Sequence, residues 1–281
     1  EAGQAFLAME WLEGETLDRR IRRGPLPVAD VLALARRVLG GLGAAHRRGI
    51  VHRDLKPGNL FLVGRDAGQT KLLDFGILTR LSDLGQRGVS GTPYYMSPEQ
   101  ARGQDLDGRS DLFALGSVLY ECLTGKPPFV GDSIRAVMAK VVVAEPPPIA
   151  TWRPDVPLGL EAFVARLMVK ARGERPVDAE AAALELADLE GVALPIATVS
   201  SHDVLSEGEQ RVMCVMLATD ARADDPGSVS LRSAPVLESL GRLGAEAHPL
   251  LDGSLVVTVG AHGTPTDQAA RAARCALGLR R

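Results

Sequence analysis

The sequence has 281 residues, of which 46% are hydrophobic, and a formal net charge of −3. This length suits one large or two modest domains, the apolar content supports a packed core, and the slightly acidic balance argues against a dedicated nucleic-acid-binding protein. The 3 cysteines lie far apart, so neither a disulfide framework nor a zinc site is indicated, and a reducing cytoplasm fits best.

The hydrophobic pattern changes along the chain from short apolar runs to helical periodicity. It predicts a strand at 5–12, a short helix at 16–23 capped by Thr16, a helix at 28–48, strands at 60–63 and 70–73, a buried helix starting at Ser110 or Asp111, and helices at 134–143, 160–170 and 177–189. A strand at 211–219, a helix at 231–243, a strand at 255–259 and a helix at 266–279 follow. Because the composition shifts near Gly191, we expect a domain at 1–190, a linker at 191–208 and a second domain at 209–281.

Residues 52–59 read His-Arg-Asp-Leu-Lys-Pro-Gly-Asn and carry most of the reactive side chains. Pro57 lacks a backbone donor and disfavours helix before it, so a loop is predicted. Phosphoryl transfer to a hydroxyl needs a proton acceptor, a cation near the phosphate and oxygen ligands for Mg²⁺. Four side chains offer such groups: Asp54, Lys56, Asn59 and, at the end of the next apolar run, Asp74.

This loop resembles the catalytic loop of eukaryotic-type protein kinases, and its motif residues are most similar to those of bacterial serine/threonine kinases. Residues 74–76 (Asp-Phe-Gly) resemble the metal-binding motif of the same family. Further similarities follow in the order that the family has them. Residues 9–14 resemble the hinge, and residues 91–99 resemble the substrate-docking loop. Asp111 resembles the Asp that holds the catalytic loop, and Arg175 resembles the Arg that pairs with Glu99. The resemblance covers residues 5–190. It implies an α+β, protein-kinase-like fold with a mainly helical C-lobe.

The resemblance also implies a role for individual residues. Asp54 would accept the proton of a Ser or Thr hydroxyl on a protein substrate, Lys56 would steady the γ-phosphate of ATP, and Thr92 would bond both side chains. Asn59 and Asp74 would bind Mg²⁺. The remaining nucleotide contacts are assigned to the hinge and the strand after the loop: Met9, Glu10, Leu12 and Phe61.

A kinase of this family also needs a Gly-rich phosphate loop, a strand Lys and a helix Glu ahead of the hinge. Because the hinge pattern begins at Met9, we expect the 281 residues to hold the hinge and C-lobe without most of the N-lobe, and to lack kinase activity by themselves. The upstream Lys is not visible, so a pseudokinase scaffold stays open as a function of a different class.

The end of the chain resembles class III nucleotide cyclase domains: 211–218 their first strand, 251–259 their Gly-Asp-Gly hairpin, and 267–279 the following helix. This implies a partial α/β, ferredoxin-like fold and a possible homodimer, since such cyclases work as dimers. Thr219 stands where one metal-binding Asp is expected, so a degenerate regulatory domain is favoured over a kinase-regulated cyclase. Asp252 is either a relic metal ligand or a turn residue.

Other residues have plainer interpretations. His52 is expected to pack against the Asp-Phe-Gly segment, whereas His46, His202, His248 and His262 are expected to be solvated or loop residues. Cys122, Met138 and Met168 are expected in the core. Among Thr79, Ser82 and Ser90, Ser90 is the preferred phosphorylation site. No apolar run approaches the roughly 18 residues of a membrane helix, so no membrane segment is expected.

Overall fold

The computed structural model describes residues 10–75, 93–191, 214–218, 233–252, 254–259 and 271–276. We call the first two ranges the helical lobe and the remaining ranges the tail module. Met9, Thr92, the candidate phosphorylation sites and residues 192–208 of the predicted linker lie outside the described residues. In the part of the chain that is described, no helix is both long and apolar enough to cross a membrane.

The helical lobe combines three short strands with seven helices in its described residues. In chain order these are β1 Gly14–Thr16, α1 Leu17–Ile21, α2 Val28–His46, β2 Leu60–Val63, β3 Thr70–Leu72, α3 Pro98–Arg102, α4 Gly108–Thr124, α5 Ile134–Val143, α6 Leu158–Leu167 and α7 Ala179–Gly191. Short 3-10 helices lie at Pro57–Asn59, Ala67–Gln69, Pro93–Tyr95, Ile149–Thr151 and Arg172–Glu174. The helices predicted from periodicity are confirmed, with ends displaced by a few residues.

Helix α4 forms the centre of the lobe and is buried on nearly all sides, as its all-round apolar pattern predicts. Phe113 and Tyr120 are among the largest fully buried side chains, and burying one such ring stabilises the fold by about 2 kcal/mol. A Cβ at Gly116 would lie 2.7 Å from Met168 Cγ and 2.9 Å from Leu167 Cβ. Only glycine therefore allows the end of α6 to approach α4 this closely.

The start of the chain differs from the prediction. Residues 10–12 of the predicted strand are not in a strand, and β1 instead lies at Gly14–Thr16, where a break was expected. Pairing with β2 explains this, because Gly14 has φ +147° and its Cβ would collide with the Leu62 carbonyl oxygen at 2.0 Å. The antiparallel order is β1-β2-β3, with β2 in the middle. Long-range pairing thus overrides the local turn preference.

Two helix starts also differ from expectation. The N-cap of α4 is Asp107, whose carboxylate accepts a hydrogen bond from Arg109 N at 2.9 Å, and not Ser110 or Asp111. Thr16 precedes α1 as expected but makes no side-chain capping bond. The short helix α3 was not predicted, although Ser97 and Gln100 form the reciprocal capping box that marks a helix start.

The tail module contains β4 Cys214–Ala218, α8 Ala234–Arg242, β5 Ala245–Pro249 and β6 Leu255–Val259, and residues 271–276 are helical. Its sheet has the antiparallel order β4-β6-β5. The predicted strands and the helix between them are confirmed in their central residues. Strand β5 is not predicted from the sequence, because its residues Ala-Glu-Ala-His-Pro have little β-propensity and depend on pairing with β6.

Lys170, which follows α6, places its ammonium group against aromatic rings. Its Nζ lies 3.9 Å from the centre of the Phe129 ring and 5.4 Å from that of Phe113. This buried Nζ has no hydrogen-bond partner among the described residues. Burial, opposed in part by the Glu145 carboxylate, lowers the pKa of Lys170 to about 7. The charged form of Lys170 therefore costs stability.

We expect Lys170→Met to raise the free energy of unfolding by about 1 kcal/mol at pH 6 and by less at pH 9. Between the folded and the unfolded pKa of Lys170, the folded protein has lost the Lys170 proton while the unfolded chain still holds it. Raising the pH through this range therefore removes the cost of burying the charged Lys170 in the wild type. Urea unfolding at both pH values checks this, with Lys140→Met on the exposed side of α5 as the control. A lower stability of Lys170→Met at both pH values would mean that the ring contacts outweigh burial.

Candidate active site

The loop between α2 and β2 brings three of the predicted site residues together. Lys56 Nζ lies 2.7 Å from Asp54 Oδ2, and Asn59 Nδ2 donates to the Asp54 carbonyl oxygen at 2.8 Å and to Oδ2 at 3.1 Å. The side chains of Asp54 and Lys56 are 42% and 31% exposed, whereas Asn59 is buried. The Asp54 carboxylate is therefore held by the Asn59 amide and the Lys56 ammonium group, and it remains accessible to solvent.

Asp111 fixes this loop from the start of α4. Its carboxylate accepts hydrogen bonds from His52 N at 2.8 Å and from Arg53 N at 2.9 Å, and the side chain is 1% exposed. Arg53 has φ +66°, a conformation that costs a non-glycine residue about 1 kcal/mol or more. Its carbonyl oxygen accepts from Gln100 Nε2 at 2.7 Å. Contacts on both sides of Arg53 thus hold the strained peptide that precedes Asp54.

His46, at the end of α2, is a positioning residue that sequence reasoning missed. It was expected to be a solvated or loop residue, but it lies in a helix, its Nε2 lies 2.8 Å from Asp111 Oδ2 and its side chain is 11% exposed. The prediction is wrong because the partner lies 65 positions further along the chain. A single sequence carries no local signal for such a contact.

His52 joins the loop to the Asp-Phe-Gly segment, as predicted. Its ring lies 4.7 Å from the Phe75 ring, and its Nε2 lies 3.0 Å from the Leu73 carbonyl oxygen. Leu73 N donates to the Asn59 carbonyl oxygen at 2.8 Å, which extends the β2–β3 pairing by one step. The next residue, Asp74, is exposed and has φ +49°. The strand pairing therefore brings Asp74 to the same edge as Asn59.

The segment before α3 is anchored to the core from two sides. Tyr95 Oη donates to Glu121 Oε2 at 2.5 Å, and burial, reinforced by this carboxylate, raises the pKa of Tyr95. The predicted pair is confirmed: Arg175 Nη1 and Nη2 lie 2.7 and 2.9 Å from the two Glu99 carboxylate oxygens, and both residues are buried. Ser110 Oγ also donates to Glu99 at 2.7 Å.

The candidate nucleotide-binding residues are only partly described. Glu10 is exposed and pairs with Lys71 Nζ at 2.5 Å, which ties the segment before β1 to β3. Leu12 is half-buried, and Phe61 is half-buried in the central strand β2. Phe61 thus lies in the sheet, whereas Glu10 and Leu12 lie in the irregular segment before β1.

The same edge offers oxygen ligands for a hard cation. Where the structure is described, no group of three or more His, Cys, Asp or Glu side chains could hold a metal ion by itself. The Asn59 amide nitrogen points at Asp54, which turns its oxygen away from that carboxylate. One amide oxygen and the exposed Asp74 carboxylate fit Mg²⁺, which is commonly bound through few protein ligands together with water and substrate phosphates.

Comparison with known proteins agrees with this geometry. Residues 1–184 match the family model of the protein kinase domain. The chain belongs to the protein kinase domain family. The catalytic-loop and Asp-Phe-Gly resemblance therefore reflects family membership.

Three curated bacterial kinases illustrate the relationship. The serine/threonine-protein kinase pkn3 of Myxococcus xanthus is 41% identical over 199 residues, covering 66% of this chain and 36% of that protein. PknL of Mycobacterium tuberculosis is 41% identical over 196 residues, 68% of this chain and 48% of that kinase. The probable serine/threonine-protein kinase PknB of Bifidobacterium longum is 42% identical over 187 residues, 62% and 26% respectively. The matched part thus spans between a quarter and a half of these relatives.

The buried Glu99–Arg175 pair of the kinase domain yields a stability prediction. Burial raises the pKa of Glu99, but the hydrogen bonds and charge of Arg175 and the Ser110 hydroxyl outweigh it, so the pKa is lowered. Glu99→Gln leaves a buried guanidinium without its counter-charge, and we expect it to lower the free energy of unfolding by about 3 kcal/mol at pH 7.

Denaturant titration measures this effect, with Glu180→Gln as the control because Glu180 pairs with Arg47 on the exposed surface. A carboxylate with a lowered pKa stabilises the fold above its unfolded pKa and loses this contribution as the pH falls. The difference between wild type and Glu99→Gln should therefore shrink below about pH 4. An equal loss in both variants at pH 7 would contradict the role of the buried pair.

Proposed function

We propose that this chain supplies the catalytic-loop lobe of a serine/threonine protein kinase, which transfers the γ-phosphate of ATP to Ser or Thr hydroxyls of proteins. The observation that carries the proposal is the Asp54 carboxylate, held by Asn59 and Lys56 on a loop fixed by Asp111. The serine/threonine kinases among its relatives support the choice of acceptor. The activity is proposed for the protein that contains this chain.

In this proposal Asp54 orients the acceptor hydroxyl and takes its proton as the oxygen attacks the γ-phosphorus, while the bond from phosphorus to the β–γ bridging oxygen breaks and ADP leaves. The exposed face of its carboxylate supports this role, because a substrate hydroxyl can reach it. Lys56 neutralises Asp54 in the described structure and would turn to the γ-phosphate when ATP is bound, which leaves the carboxylate free to accept a proton. Thr92 is proposed to bond both side chains.

Asn59 and Asp74 are proposed to hold Mg²⁺, and Met9, Glu10, Leu12 and Phe61 to contact the nucleotide. The metal, when bound, would neutralise charge on the phosphates. The protein's own contribution is to fix the two ligands: Asn59 through its two bonds to Asp54, and Asp74 through the pairing of Leu73 with Asn59. We also propose a kinase domain at 1–190, a linker at 191–208 and a second domain at 209–281.

Asp54→Asn should lower phosphoryl transfer by about a thousandfold while leaving the affinity for ATP within about twofold, because the amide cannot accept the hydroxyl proton. Radiolabelled phosphate transfer and a fluorescence titration of ATP measure the two effects in the protein that contains this chain. Asp155→Asn, at an exposed carboxylate paired with Arg153, is the control. Turnover near the wild-type rate in Asp54→Asn would contradict the proposed role.

Asp74→Asn should raise the Mg²⁺ concentration needed for half-maximal ATP binding by about tenfold, because a neutral amide replaces an anionic ligand. ATP binding followed at increasing Mg²⁺ gives this value without relying on turnover. The exposed Asp105 provides the matched control as Asp105→Asn. An unchanged Mg²⁺ requirement in Asp74→Asn would remove this residue from the proposed metal site.

We also infer that the tail module is a degenerate relative of class III cyclase domains. Its β-α-β-β-α order and its sheet order β4-β6-β5 support the ferredoxin-like fold that the resemblance implies. Asp252 accepts hydrogen bonds from Ser254 N and Oγ and from Arg135 Nε. These contacts favour a turn residue over a metal ligand, so a regulatory role is preferred to a second catalytic activity.

A further inference from the structure

One face of the tail sheet packs against α8 and residues 271–276, and part of the other face meets the helical lobe, whereas Val215 and Leu217 of β4 stay exposed there. Leu255, Val257 and Val259 point to one face and form a cluster with Leu240 of α8 and Cys275. Val256 points to the other face and belongs, with Leu250, to the core cluster of the helical lobe. Both Val256 and Leu250 are fully buried. The tail module is therefore packed into the lobe by its own hydrophobic face.

The β5–β6 turn contacts the lobe at the end of α3. Leu251 N donates to the Ala101 carbonyl oxygen at 2.9 Å. The Leu251 side chain lies over Gly103, where a Cβ would be 2.7 Å from Leu251 Cδ1. Gly103 is the C-cap of α3 and has φ +68°. The missing side chain of Gly103 thus provides the space that Leu251 occupies.

An ion pair closes the same contact on the side of α5. Arg135 Nε lies 2.7 Å from Asp252 Oδ2, with side chains 52% and 30% exposed. Burial and the Arg102 guanidinium both lower the pKa of His248 in β5, in part against the Glu246 carboxylate. The tail module therefore meets both α3 and α5.

The covered surface adjoins the proposed acceptor site. Helix α3 directly follows the segment from Pro93 to Ser97, and its Gln100 holds the Arg53 carbonyl oxygen next to Asp54. Helix α5 packs against the 3-10 helix Pro93–Tyr95. A protein that presents a hydroxyl to Asp54 from the side of α3 and α5 would meet the tail module.

We propose that the tail module is a built-in cover of the α3–α5 surface, held by the Leu251–Gly103 contact and the Asp252–Arg135 ion pair, and that its release admits protein acceptors. The cover rests on the kinase function proposed above, whereas the docking itself does not. Because the docked tail would block protein acceptors, breaking its contact with the lobe should increase the phosphorylation of protein acceptors. A molecule that binds the released tail would regulate this activity.

Amide hydrogen exchange tests the docking without any activity. The Leu251 amide reports the contact with Ala101, and the Leu250 amide, which donates to the Ser254 carbonyl oxygen at 2.8 Å, reports the turn itself. Gly103→Asn fills the space under Leu251, and asparagine tolerates the left-handed conformation. Gly125→Asn is the matched control, because Gly125 is also a left-handed C-cap and its Cβ would meet only Pro25 at 3.4 Å.

We expect Leu251 to exchange about tenfold faster in Gly103→Asn, with Leu250 and the Gly125→Asn variant close to wild type. Arg135→Glu should accelerate Leu251 exchange about two- to fivefold by opposing Asp252. Arg166→Glu, opposite Glu185 on the exposed face of α6, should leave it unchanged. Unchanged exchange at Leu251 in both Gly103→Asn and Arg135→Glu would overturn the docking contact.

Two rates then test the cover in the protein that contains this chain. Phosphorylation of an Asp54→Asn copy of the same protein requires a protein acceptor to approach, whereas ATP hydrolysis without acceptor does not. The ratio of the first rate to the second should rise about threefold or more in Gly103→Asn and Arg135→Glu, and stay constant in the two controls. Faster Leu251 exchange with an unchanged ratio would overturn the cover, and a wild-type protein without ATP hydrolysis would contradict the kinase function instead.

Discussion

The buried carboxylate of Asp111 is the interaction on which the rest of the site depends. Removing such a charge from water is costly, and two backbone amides and the His46 ring offset this cost. In return the carboxylate holds Arg53 at φ +66°, a conformation the chain would otherwise leave. Asp54 follows directly, so the direction of its carboxylate is set by a side chain that lies outside the loop. The stability of the central helix is thereby linked to the geometry of the site.

Helix α3 connects the catalytic loop to the other parts of the lobe, although it has only 5 residues. Gln100 bonds the carbonyl oxygen of Arg53, and Glu99 pairs with the buried Arg175. Gly103, at its end, makes room for Leu251 of the tail. A short helix has little stability of its own, so its position is determined by these three contacts. The catalytic loop, the core and the tail therefore meet at one element.

How far the sequence predicts this structure depends on the range of the contacts involved. Helices α2 and α4 repeat apolar residues at helical spacing, and the catalytic motif is read from adjacent residues, so both were predictable. His46 and β1 were not, because His46 acquires its role from Asp111 and β1 from pairing with β2. The local sequence favoured a solvated or loop residue at His46 and a break in the strand at Gly14. Positions near the site are where such long-range contacts concentrate.

The tail shows the same limit on a larger scale. A shift in composition near Gly191 suggested two separate domains, and nothing in the order of residues indicates that one face of the second would be buried by the first. Yet Val256 lies in the core cluster of the helical lobe, while its neighbours Leu255 and Val257 lie in the cluster of the tail. Alternation along one strand thus divides its side chains between two cores. Opening the contact would expose Val256 and Leu250 to water, so the tail and the lobe stabilise each other as long as they remain docked.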